Sequence, residues 1–386
     1  MKRVVIVAGE TSGDLHGAAL MRAMKEACPD LAFSGIGGSG MIAEGLTALR
    51  HMREMNFMGF VEVVRHLPFI MRTMKDLETH LDDISPDLVI LIDYPGFNLK
   101  MLPRIKKRGI PVMYYISPQL WAWHTSRVKL IRKYVDRMVV LFEFERSFYE
   151  KYGIEADFVG HPLVGMVKAT EDRDTLRQSL NAQSQPLVGL FPGSRSQEIE
   201  RILPVMVDSV RYMREKMGSV RAAIGCAPEI SDDIYESYTE GSDIDLVRGR
   251  TYELMTHADV NAVTSGTATI EAGICGTPMV VVYRTSPLTF AIGRRLVKLS
   301  YIGMINIIAG RMIVPELWQD DVNPEMLGER LMRLMSDSSL RNQIKGNLRL
   351  AVQKLGGPGA VVRAAGVALD MLDCGTESSN DLGDQA

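Results

Sequence analysis

Short, uniformly apolar runs alternate with amphipathic stretches along the first 160 residues of the chain. The runs of strand length cover residues 4–8, 88–92, 112–116 and 138–141, and stretches such as 99–107 and 142–152 have the spacing of helices. Strands that are apolar at every position are typical of a parallel sheet covered on both faces. The pattern therefore predicts a series of β-α-β units, which form a doubly wound α/β domain.

A second series of the same kind follows a loosely patterned junction at about residues 160–186. Its apolar runs are 187–191, 221–224, 245–247, 259–263 and 279–283, and from Pro324 the chain has the pattern of helices, the last at 360–372. We therefore predict two Rossmann-like domains, at 1–165 and 166–355, and a polar, disordered tail at 374–386. Such folds bind ligands in a crevice beyond the carboxyl ends of the strands.

Composition narrows the class of protein. Of the 386 residues, 46% are apolar and 24% charged, and 44 basic against 47 acidic residues give a net charge of −3. The chain therefore lacks the basic field of a nucleic-acid-binding protein. The four cysteines have no CxxC spacing and no adjacent histidine cluster, which disfavours a disulfide framework or a zinc site and fits a reducing cytoplasm. We expect no signal peptide and no transmembrane helix, because the apolar runs are too short.

The loop after the first predicted strand is rich in glycine and reads GETSGDLHG, residues 9–17. It lacks the GxGxxG dinucleotide fingerprint, and no lysine follows Gly13 to make it a P-loop. Its glycines permit close approach of a ligand, or close packing of the next helix on the sheet. Glu10 and Asp14 are candidates to accept hydrogen bonds from sugar hydroxyls.

Two later loops of the first domain lie at the same edge of the predicted sheet. Asp93 follows the run 88–92 directly, where partial burial raises the pKa of a carboxyl and suits it to general-base catalysis. Its alternative role is to cap the next helix. Beyond the run 112–116, the segment SPQLWAW carries Trp121 and Trp123, whose rings serve either as sugar platforms or as packing.

Two glycine turns in the second domain each open a predicted helix. The first, 192–195, ends in Arg195, and the second is 265–267. The N–H groups at a helix start and a guanidinium both bind phosphate, so the two turns together suit a diphosphate. Glu271, on the helix after the second turn, is placed to accept hydrogen bonds from ribose hydroxyls. Asp243 and Asp245 form a DxD pattern, but their surface-like loop indicates no metal site.

The segment 57–75 carries more apolar side chains than one buried face requires. Core packing is one interpretation. The other is an exposed apolar patch, rimmed by Arg65, His66, Arg72 and Lys75, that meets a membrane surface or acyl chains.

Seven motifs together resemble those of the lipid-A-disaccharide synthases, which are inverting glycosyltransferases of the GT-B architecture. They are AGETSGD (8–14), IDYPGFN (92–98), YISPQLWAW (115–123), VGHPL (159–163), PGSRSQEI (192–199), SGTATIEAG (265–273) and GTPMVVVYR (276–284). The likeness extends over about residues 3–372. It implies two Rossmann-like domains that face a central crevice, with the C-terminal helix at about 356–373 crossing back to the first domain.

The resemblance implies a reaction without metal or cofactor. UDP-2,3-diacylglucosamine condenses with 2,3-diacylglucosamine 1-phosphate to give a β-1,6-linked disaccharide 1-phosphate and UDP. Asp93 would act as the general base, with Glu10 and Arg195 as the other catalytic residues. The nucleotide would contact Ser194, Arg195, Ser265, Gly266, Thr267 and Glu271. The acceptor would contact Ser12, Asp14, Ser117, Gln119, Trp121, Trp123 and Asn306. An acyl or membrane face would comprise Val61, Val63, Val64, Ile70 and Met71.

The resemblance also concerns partners and location. Members of this family associate peripherally with the inner-membrane phospholipid surface from the cytoplasm, and they form homodimers by exchange of C-terminal segments. Family members have Asp at the position of Gly96, so we assign no catalytic role there. The alternatives are a UDP-sugar 2-epimerase, which shares the scaffold and the glycine turns, another GT-B UDP-sugar transferase, and a binding protein without turnover.

Overall fold

The computed structural model describes residues 1–55, 66–123, 125–286, 290 and 300–374, and the chain divides into two compact units. Unit 1 comprises Met1–Pro162 and the C-terminal segment that begins at Gly357, and unit 2 comprises Leu163–Gly356. The chain therefore leaves unit 1 once and returns to it with its last helix, as the resemblance implies. No helix in the described residues is both long and apolar enough to span a membrane.

A parallel sheet forms the centre of unit 1. Its strands are β1 Lys2–Ala8, β2 Leu31–Gly37, β3 Leu46–His51, β4 Leu88–Ile92, β5 Val112–Tyr115, β6 Arg137–Val140 and β7 Ala156–Phe158, in the spatial order β3-β2-β1-β4-β5-β6-β7. The helices are α1 Thr11–Ala27, α2 Ser39–Ala43, α3 Leu67–Ile84, α4 Pro95–Lys106, α5 Val128–Tyr134, α6 Glu143–Glu150 and the C-terminal helix Ala360–Met371, with short 3-10 helices at Met52–Met55 and Thr125–Arg127.

Both faces of this sheet are buried, which explains the uniformly apolar strands. Along β1, Val5 and Val7 point into one core, and Val4 and Ile6 point into the other, because successive side chains alternate across a strand. Helices α3 and α4 cover the first face, and α1 and the C-terminal helix cover the second. The C-terminal helix thus completes a core of unit 1.

Unit 2 repeats the arrangement around a second parallel sheet. Its strands are β8 Leu187–Phe191, β9 Arg221–Gly225, β10 Asp245–Val247, β11 Val260–Thr264, β12 Met279–Tyr283 and β13 Glu316–Trp318, in the order β10-β9-β8-β11-β12-β13. The helices are α7 Leu163–Met166, α8 Arg173–Ser179, α9 Ser196–Met217, α10 Asp232–Thr239, α11 Thr251–His257, α12 Ala268–Cys275, α13 Met304–Ala309, α14 Pro324–Ser336 and α15 Ser338–Gln353, with a 3-10 helix at Gln319–Asp321. The C-terminal helix of unit 1 is α16. Two parallel-sheet α/β units confirm the predicted fold class.

The strand order creates a switch point in each sheet. In unit 1 the chain runs outward from β1 on one side and from β4 on the other, and these two strands are neighbours. In unit 2 the neighbouring strands β8 and β11 are related in the same way. Loops that follow such a strand pair diverge and leave room for a ligand beyond the carboxyl ends. Four of the loops predicted to carry chemistry follow these four strands, and the fifth, which contains SPQLWAW, follows β5.

Candidate active site

At the switch point of unit 1, Asp93 lies in an unfavourable backbone conformation. Its φ is +42°, Tyr94 follows at +45°, and Ile116 at the end of the neighbouring strand has a φ of +66°. Residues other than glycine avoid this left-handed region, and a β-branched residue avoids it most. Strain of this kind is concentrated at functional sites, where the surrounding structure maintains it.

Hydrogen bonds to the backbone hold Asp93 in place. Its carbonyl oxygen accepts from the Tyr114 hydroxyl at 2.6 Å and from Asn98 Nδ2 at 2.7 Å, and its N–H donates to the carbonyl of Tyr115 at 3.1 Å. The N-cap of α4 is Tyr94, and no side chain caps this helix. Asp93 therefore does not serve as the helix cap. The hydrogen bonds that other residues form with the Asp93 main chain hold this residue in place and so orient its carboxyl.

The electrostatic environment raises the pKa of Asp93 to about 7. Burial is the main cause, because it disfavours the ionised carboxylate, and the negative charge of Glu10 adds to the effect. The backbone N–H of Tyr94 opposes both. A carboxyl with this pKa exchanges a proton near neutral pH, as general-base catalysis requires.

The glycine-rich loop after β1 packs closely against its surroundings. A Cβ atom at Gly9 would lie 2.3 Å from the Tyr94 ring, and one at Gly17 would lie 2.6 Å from Met41 Sδ. At Gly13 a Cβ atom would lie 3.2 Å from that of Ala8. Of the two roles that the sequence permits for these glycines, the contacts support close packing of α1.

The structure corrects the prediction for Asp14. Its buried carboxylate accepts three backbone hydrogen bonds, from Gly38 at 2.7 Å, Gly40 at 2.9 Å and Met41 at 3.0 Å. These N–H groups open α2, where an anion is favoured by the helix dipole. Asp14 thus anchors the loop after β2, and its oxygens are committed to that loop rather than turned to a sugar. Glu10 and Ser12, by contrast, are exposed.

The two tryptophans of the SPQLWAW segment have different environments. Trp121 packs edge-on against Phe144, and its Nε1 donates to Glu145 Oε1 at 3.2 Å, whereas the side chain of Trp123 is 44% exposed. Glu145 is buried, and burial raises its pKa to about 8. Packing therefore explains Trp121, whereas the role of the exposed Trp123 as a sugar platform stays a prediction.

The other two acceptor residues predicted in this segment also differ. The hydroxyls of Ser117 and Tyr149 lie 2.9 Å apart, and Ser117 is buried. Gln119 is exposed.

In unit 2 one cavity of about 730 Å³ brings together all six residues predicted to contact the nucleotide. They lie at the ends of β8 and β11 and on the first turn of α12, and they are Ser194, Arg195, Ser265, Gly266, Thr267 and Glu271. Helices α9 and α12 begin at this cavity, at Ser196 and Ala268. Helix N-termini and an arginine are suited to hold an anion such as a diphosphate.

The first turn of this cavity requires glycine at position 193. Its φ is +116°, and a Cβ atom there would lie 2.6 Å from Glu198 Oε2. Glu198 accepts a 2.9 Å hydrogen bond from Arg195, whose side chain is exposed. In the second turn, Ser265 donates through its hydroxyl to the carbonyl of Ile302 at 2.7 Å. A diphosphate would compete with Glu198 for the Arg195 guanidinium.

Asn306 has a structural role in unit 2. Its Nδ2 donates to Val314 O at 2.9 Å and Glu316 Oε1 at 2.8 Å, and its Oδ1 accepts from the N–H groups of Ile313 and Val314. The buried amide is therefore fully used within the unit. The predicted contact of Asn306 with a substrate gains no support from these bonds.

The DxD pattern also has structural partners. Asp243 and Asp245 both form ion pairs with Arg221, at 2.7 and 2.6 Å. No group of three or more potential metal-ligating side chains is present in the residues that the structure describes.

The predicted acyl or membrane face lies only in part within the described residues. Val61, Val63 and Val64 lie outside them. Ile70 is 8% exposed and packs in the core of unit 1 with Met74 and Leu77, so its assignment to that face is wrong. The reason is helical periodicity, because positions 70, 74, 77 and 81 form the inward face of α3. Met71 lies outside this inward face and is 48% exposed, and Leu67 is 43% exposed.

Sequence reasoning missed the residues that support the predicted ones. Tyr114 and Asn98 bind the Asp93 carbonyl, and the Tyr252 hydroxyl donates to Glu271 at 3.0 Å. Asn98 ends the IDYPGFN motif, which was a signal for it. Tyr114 and Tyr252 lie outside every glycine turn, and their hydrogen-bond partners are 21 and 19 residues away in the sequence. No local motif therefore indicates them.

Comparisons with known proteins identify relatives of this chain. The sequence profile of a family described as lipid-A-disaccharide synthetase matches residues 4–364. The lipid-A-disaccharide synthase of Trichlorobacter lovleyi is 41% identical over 375 residues, which cover 96% of this chain and 98% of that protein.

Two solved structures share the fold at low identity. The calicheamicin glycosyltransferase CalG4 has a TM-score of 0.61 at 15% identity, with 97% of this chain and 98% of that chain covered. The UDP-GlcNAc 2-epimerase of Neisseria meningitidis has a TM-score of 0.59 at 12% identity, with 97% and 100% covered. These structures show that the fold is common to transferases and epimerases. The profile match and the 41% identity show the family: the chain belongs to the lipid-A-disaccharide synthetase family.

Proposed function

We propose that the protein condenses UDP-2,3-diacylglucosamine with 2,3-diacylglucosamine 1-phosphate to give the β-1,6-linked disaccharide 1-phosphate and UDP. Family membership supports the choice of substrates. The observation that carries the transferase chemistry is Asp93, a half-buried carboxyl held at the switch point of unit 1 with a pKa raised to about 7. Such a group can accept the proton of an attacking hydroxyl at neutral pH.

In this mechanism the acceptor sugar binds at unit 1 and the nucleotide at unit 2. The oxygen of the acceptor 6-hydroxyl bonds to the anomeric carbon of the donor, and Asp93 takes the proton of that hydroxyl at the same time. The bond from that carbon to the diphosphate oxygen breaks on the opposite face, so the configuration inverts and UDP leaves. Because Asp93 must be ionised to act, turnover should rise with pH through about 7.

Charge that develops on the leaving diphosphate requires stabilisation in unit 2. The Arg195 guanidinium and the N-terminal turns of α9 and α12 line the cavity, and the backbone N–H groups of the two turns are positioned before the reaction begins. Donors arranged in advance stabilise a transition state because they need no reorganisation. Glu271 would accept hydrogen bonds from the ribose. The proposed reaction uses no metal and no cofactor.

The test is mass spectrometry of the purified protein with both lipid substrates, detergent and EDTA. We expect a tetraacyl disaccharide 1-phosphate with UDP, and Asp93→Asn should lower kcat by about 10²–10⁴-fold while UDP binding is retained. Asp208→Asn, which changes a surface carboxylate that pairs with Arg211, is the matched control. Near-normal turnover of Asp93→Asn would remove Asp93 from this role.

The same assay separates the transferase from its rivals. Absence of disaccharide with the wild-type protein, both with EDTA and with added Mg²⁺, would reject the proposed reaction. Incubation with UDP-N-acetylglucosamine would then test for epimerisation at C2, and UDP binding without any product would indicate a binding protein.

We also propose that the protein acts from the cytoplasm at the inner-membrane phospholipid surface. Leu67 and Met71 are exposed one helical turn apart on α3, and Arg72 and Lys75 are exposed beside them. Apolar side chains next to basic ones suit an anionic lipid surface. Sedimentation with phosphatidylglycerol-containing vesicles tests this, and Leu67→Ser with Met71→Ser should reduce the bound fraction. Met312→Ser, which changes an exposed methionine of unit 2, should leave it unchanged.

We further propose a homodimer formed by exchange of the C-terminal segment. Helix α16 packs its buried alanines, such as Ala364 and Ala368, in a core shared with Leu20 and Met24 of α1. Exchange of α16 between two copies would preserve the same contacts, which is how segment exchange produces dimers at low cost.

A further inference from the structure

Two residues of the nucleotide cavity form a hydrogen-bonded pair. The Tyr252 hydroxyl donates to Glu271 Oε1 at 3.0 Å, and both side chains line the cavity. Tyr252 lies on the first turn of α11 and Glu271 on the first turn of α12, and these two helices pack together. The contact is therefore held by two elements of unit 2 rather than by a loop.

This bond determines how Glu271 can present its carboxylate. A glutamate side chain has three rotatable bonds and loses considerable conformational entropy when it is held in one position. Among the residues that the structure describes, Tyr252 is the one side-chain donor to Glu271. With Oε1 bound to the phenol, Oε2 is oriented and keeps its capacity to accept hydrogen bonds within the cavity.

The charges of the pair suit hydrogen-bond recognition. Burial raises the pKa of the Glu271 carboxyl, and the donated bond from Tyr252 opposes that rise and so favours the ionised form. Burial and the adjacent carboxylate raise the pKa of Tyr252, so the phenol keeps its proton and remains the donor. A carboxylate oxygen oriented in this way is a strong acceptor for sugar hydroxyls.

We propose that Tyr252 is a positioning residue for the nucleotide, whose hydroxyl fixes Glu271 so that the free carboxylate oxygen accepts a hydrogen bond from a ribose hydroxyl. This inference rests on the proposed function, which puts UDP in this cavity. It adds a specificity determinant: the enzyme distinguishes a ribose from a deoxyribose through Tyr252 as well as Glu271. Tyr252 touches no reacting atom in this scheme.

Calorimetric titration with UDP and with 2′,3′-dideoxy-UDP tests the inference. Tyr252→Phe retains the ring and removes the hydroxyl, so UDP should bind about 5- to 10-fold more weakly. Binding of dideoxy-UDP should change less than about twofold, because that ligand has no ribose hydroxyl for Glu271 to accept. Glu271→Gln should lose the same discrimination. In turnover assays, the KM for the UDP-sugar should rise while kcat changes little.

A matched control exists elsewhere in unit 2. The Tyr212 hydroxyl of α9 donates to Glu329 of α14 at 3.4 Å, and neither residue lines the cavity, so Tyr212→Phe removes a bond of the same kind. It should alter the binding of neither nucleotide.

The inference would be overturned if Tyr252→Phe weakened the binding of both nucleotides equally, or if it weakened the binding of neither. If the wild-type protein binds UDP and dideoxy-UDP equally, the inference fails while the transferase proposal stands. If the wild-type protein binds no UDP, the proposed function itself fails.

Discussion

At Asp93, two unfavourable features meet in one residue: a left-handed backbone and a poorly solvated carboxyl. Neither feature stabilises the fold, and both are accounted for by the proposed role of Asp93 as a proton acceptor at the carboxyl edge of the sheet. Active sites commonly carry such costs, and neutral replacements of the group often stabilise a protein while they abolish its activity.

The raised pKa of Asp93 predicts how the stability of an Asp93→Asn variant depends on pH. The folded protein holds this proton up to about pH 7, whereas an unfolded aspartate releases it near pH 3.9. The contribution of the Asp93 carboxyl to the stability of the wild type therefore falls as the pH rises between these two values. Asparagine does not titrate, so the variant does not lose stability in this way as the pH rises. Its unfolding temperature should equal that of the wild type near pH 4 and be a few degrees higher at pH 8.

Thermal unfolding across this pH range checks the prediction. Asp208→Asn, which changes a half-exposed carboxylate paired with Arg211, is the control for the same substitution elsewhere. A variant that is less stable than the wild type at pH 8 would contradict a desolvated carboxyl at position 93.

Tyr114 and Tyr115 offer a second test at this scale. Tyr114→Phe removes the 2.6 Å hydrogen bond to the Asp93 carbonyl, and we expect a loss of about 1 kcal/mol in stability and a several-fold fall in kcat with unchanged UDP affinity. The neighbouring Tyr115 hydroxyl is buried without a hydrogen-bond partner among the described residues, so Tyr115→Phe should be neutral or stabilising. An equal fall in kcat for both variants would show that the bond to Asp93 is not the cause.

Among the elements, strands at the switch points were the easiest to predict. β1, β4, β8 and β11 are apolar at nearly every position because both faces of the sheet are covered. Strands β2, β3, β7 and β13 were missed. β3 lies at an exposed edge and carries polar residues, and β7 and β13 have three residues each, too few to show a period. Their place in a sheet depends on the neighbouring strand.

The close contact between the loop after β1 and the start of α4 leads to a third prediction. Gly9→Ala would put a Cβ atom 2.3 Å from the Tyr94 ring, which is held by stacking on Phe97 and by its hydrogen bond to Met55 O. The ring cannot easily move, so we expect a loss of about 1–3 kcal/mol in stability and a lower kcat, since Tyr94 adjoins Asp93.

The control lies in the same region. A Cβ atom at Gly96, on the first turn of α4, would meet nothing within 4 Å, so Gly96→Ala should be tolerated with normal turnover. Chemical denaturation and steady-state kinetics of both variants make the comparison. Equal behaviour of the two variants would rule out the clash with Tyr94.

On the scale of the whole molecule, the C-terminus returns to unit 1 and brings two cysteines together. Cys28 follows α1 and Cys374 follows α16, and their sulfur atoms are 3.2 Å apart although 346 residues separate them in the chain. The sequence, which shows no paired spacing of cysteines, gave no indication of this contact.

We predict that a mild thiol oxidant such as diamide joins Cys28 and Cys374, with loss of one proton and one electron from each thiol. In the proposed exchanged dimer this contact lies between chains, so the product should run at twice the chain mass on a non-reducing gel. Cys28→Ser should abolish it, and Cys226→Ser, which changes a buried cysteine of unit 2, should not. A product at the single-chain mass would contradict exchange, and no cross-link would contradict the sulfur contact.

The sequence by itself determined the class of fold and the glycine turns, and it predicted which edge of each sheet carries the chemistry. These follow from patterns within a few residues: apolar periodicity, a turn that needs glycine, and the rule that parallel strands share one carboxyl edge. Motifs that span the chain indicated the family.

Only the tertiary structure decided which side chains meet. The side chains of Asp14 and Asn306 form hydrogen bonds with backbone groups, and Ile70 packs in the core. Three further contacts join Tyr114 to Asp93, Tyr252 to Glu271 and Cys28 to Cys374. Each of the last three contacts joins residues from different elements, between 19 and 346 positions apart. Such distances and orientations depend on how packed elements lie against one another, which no local pattern encodes.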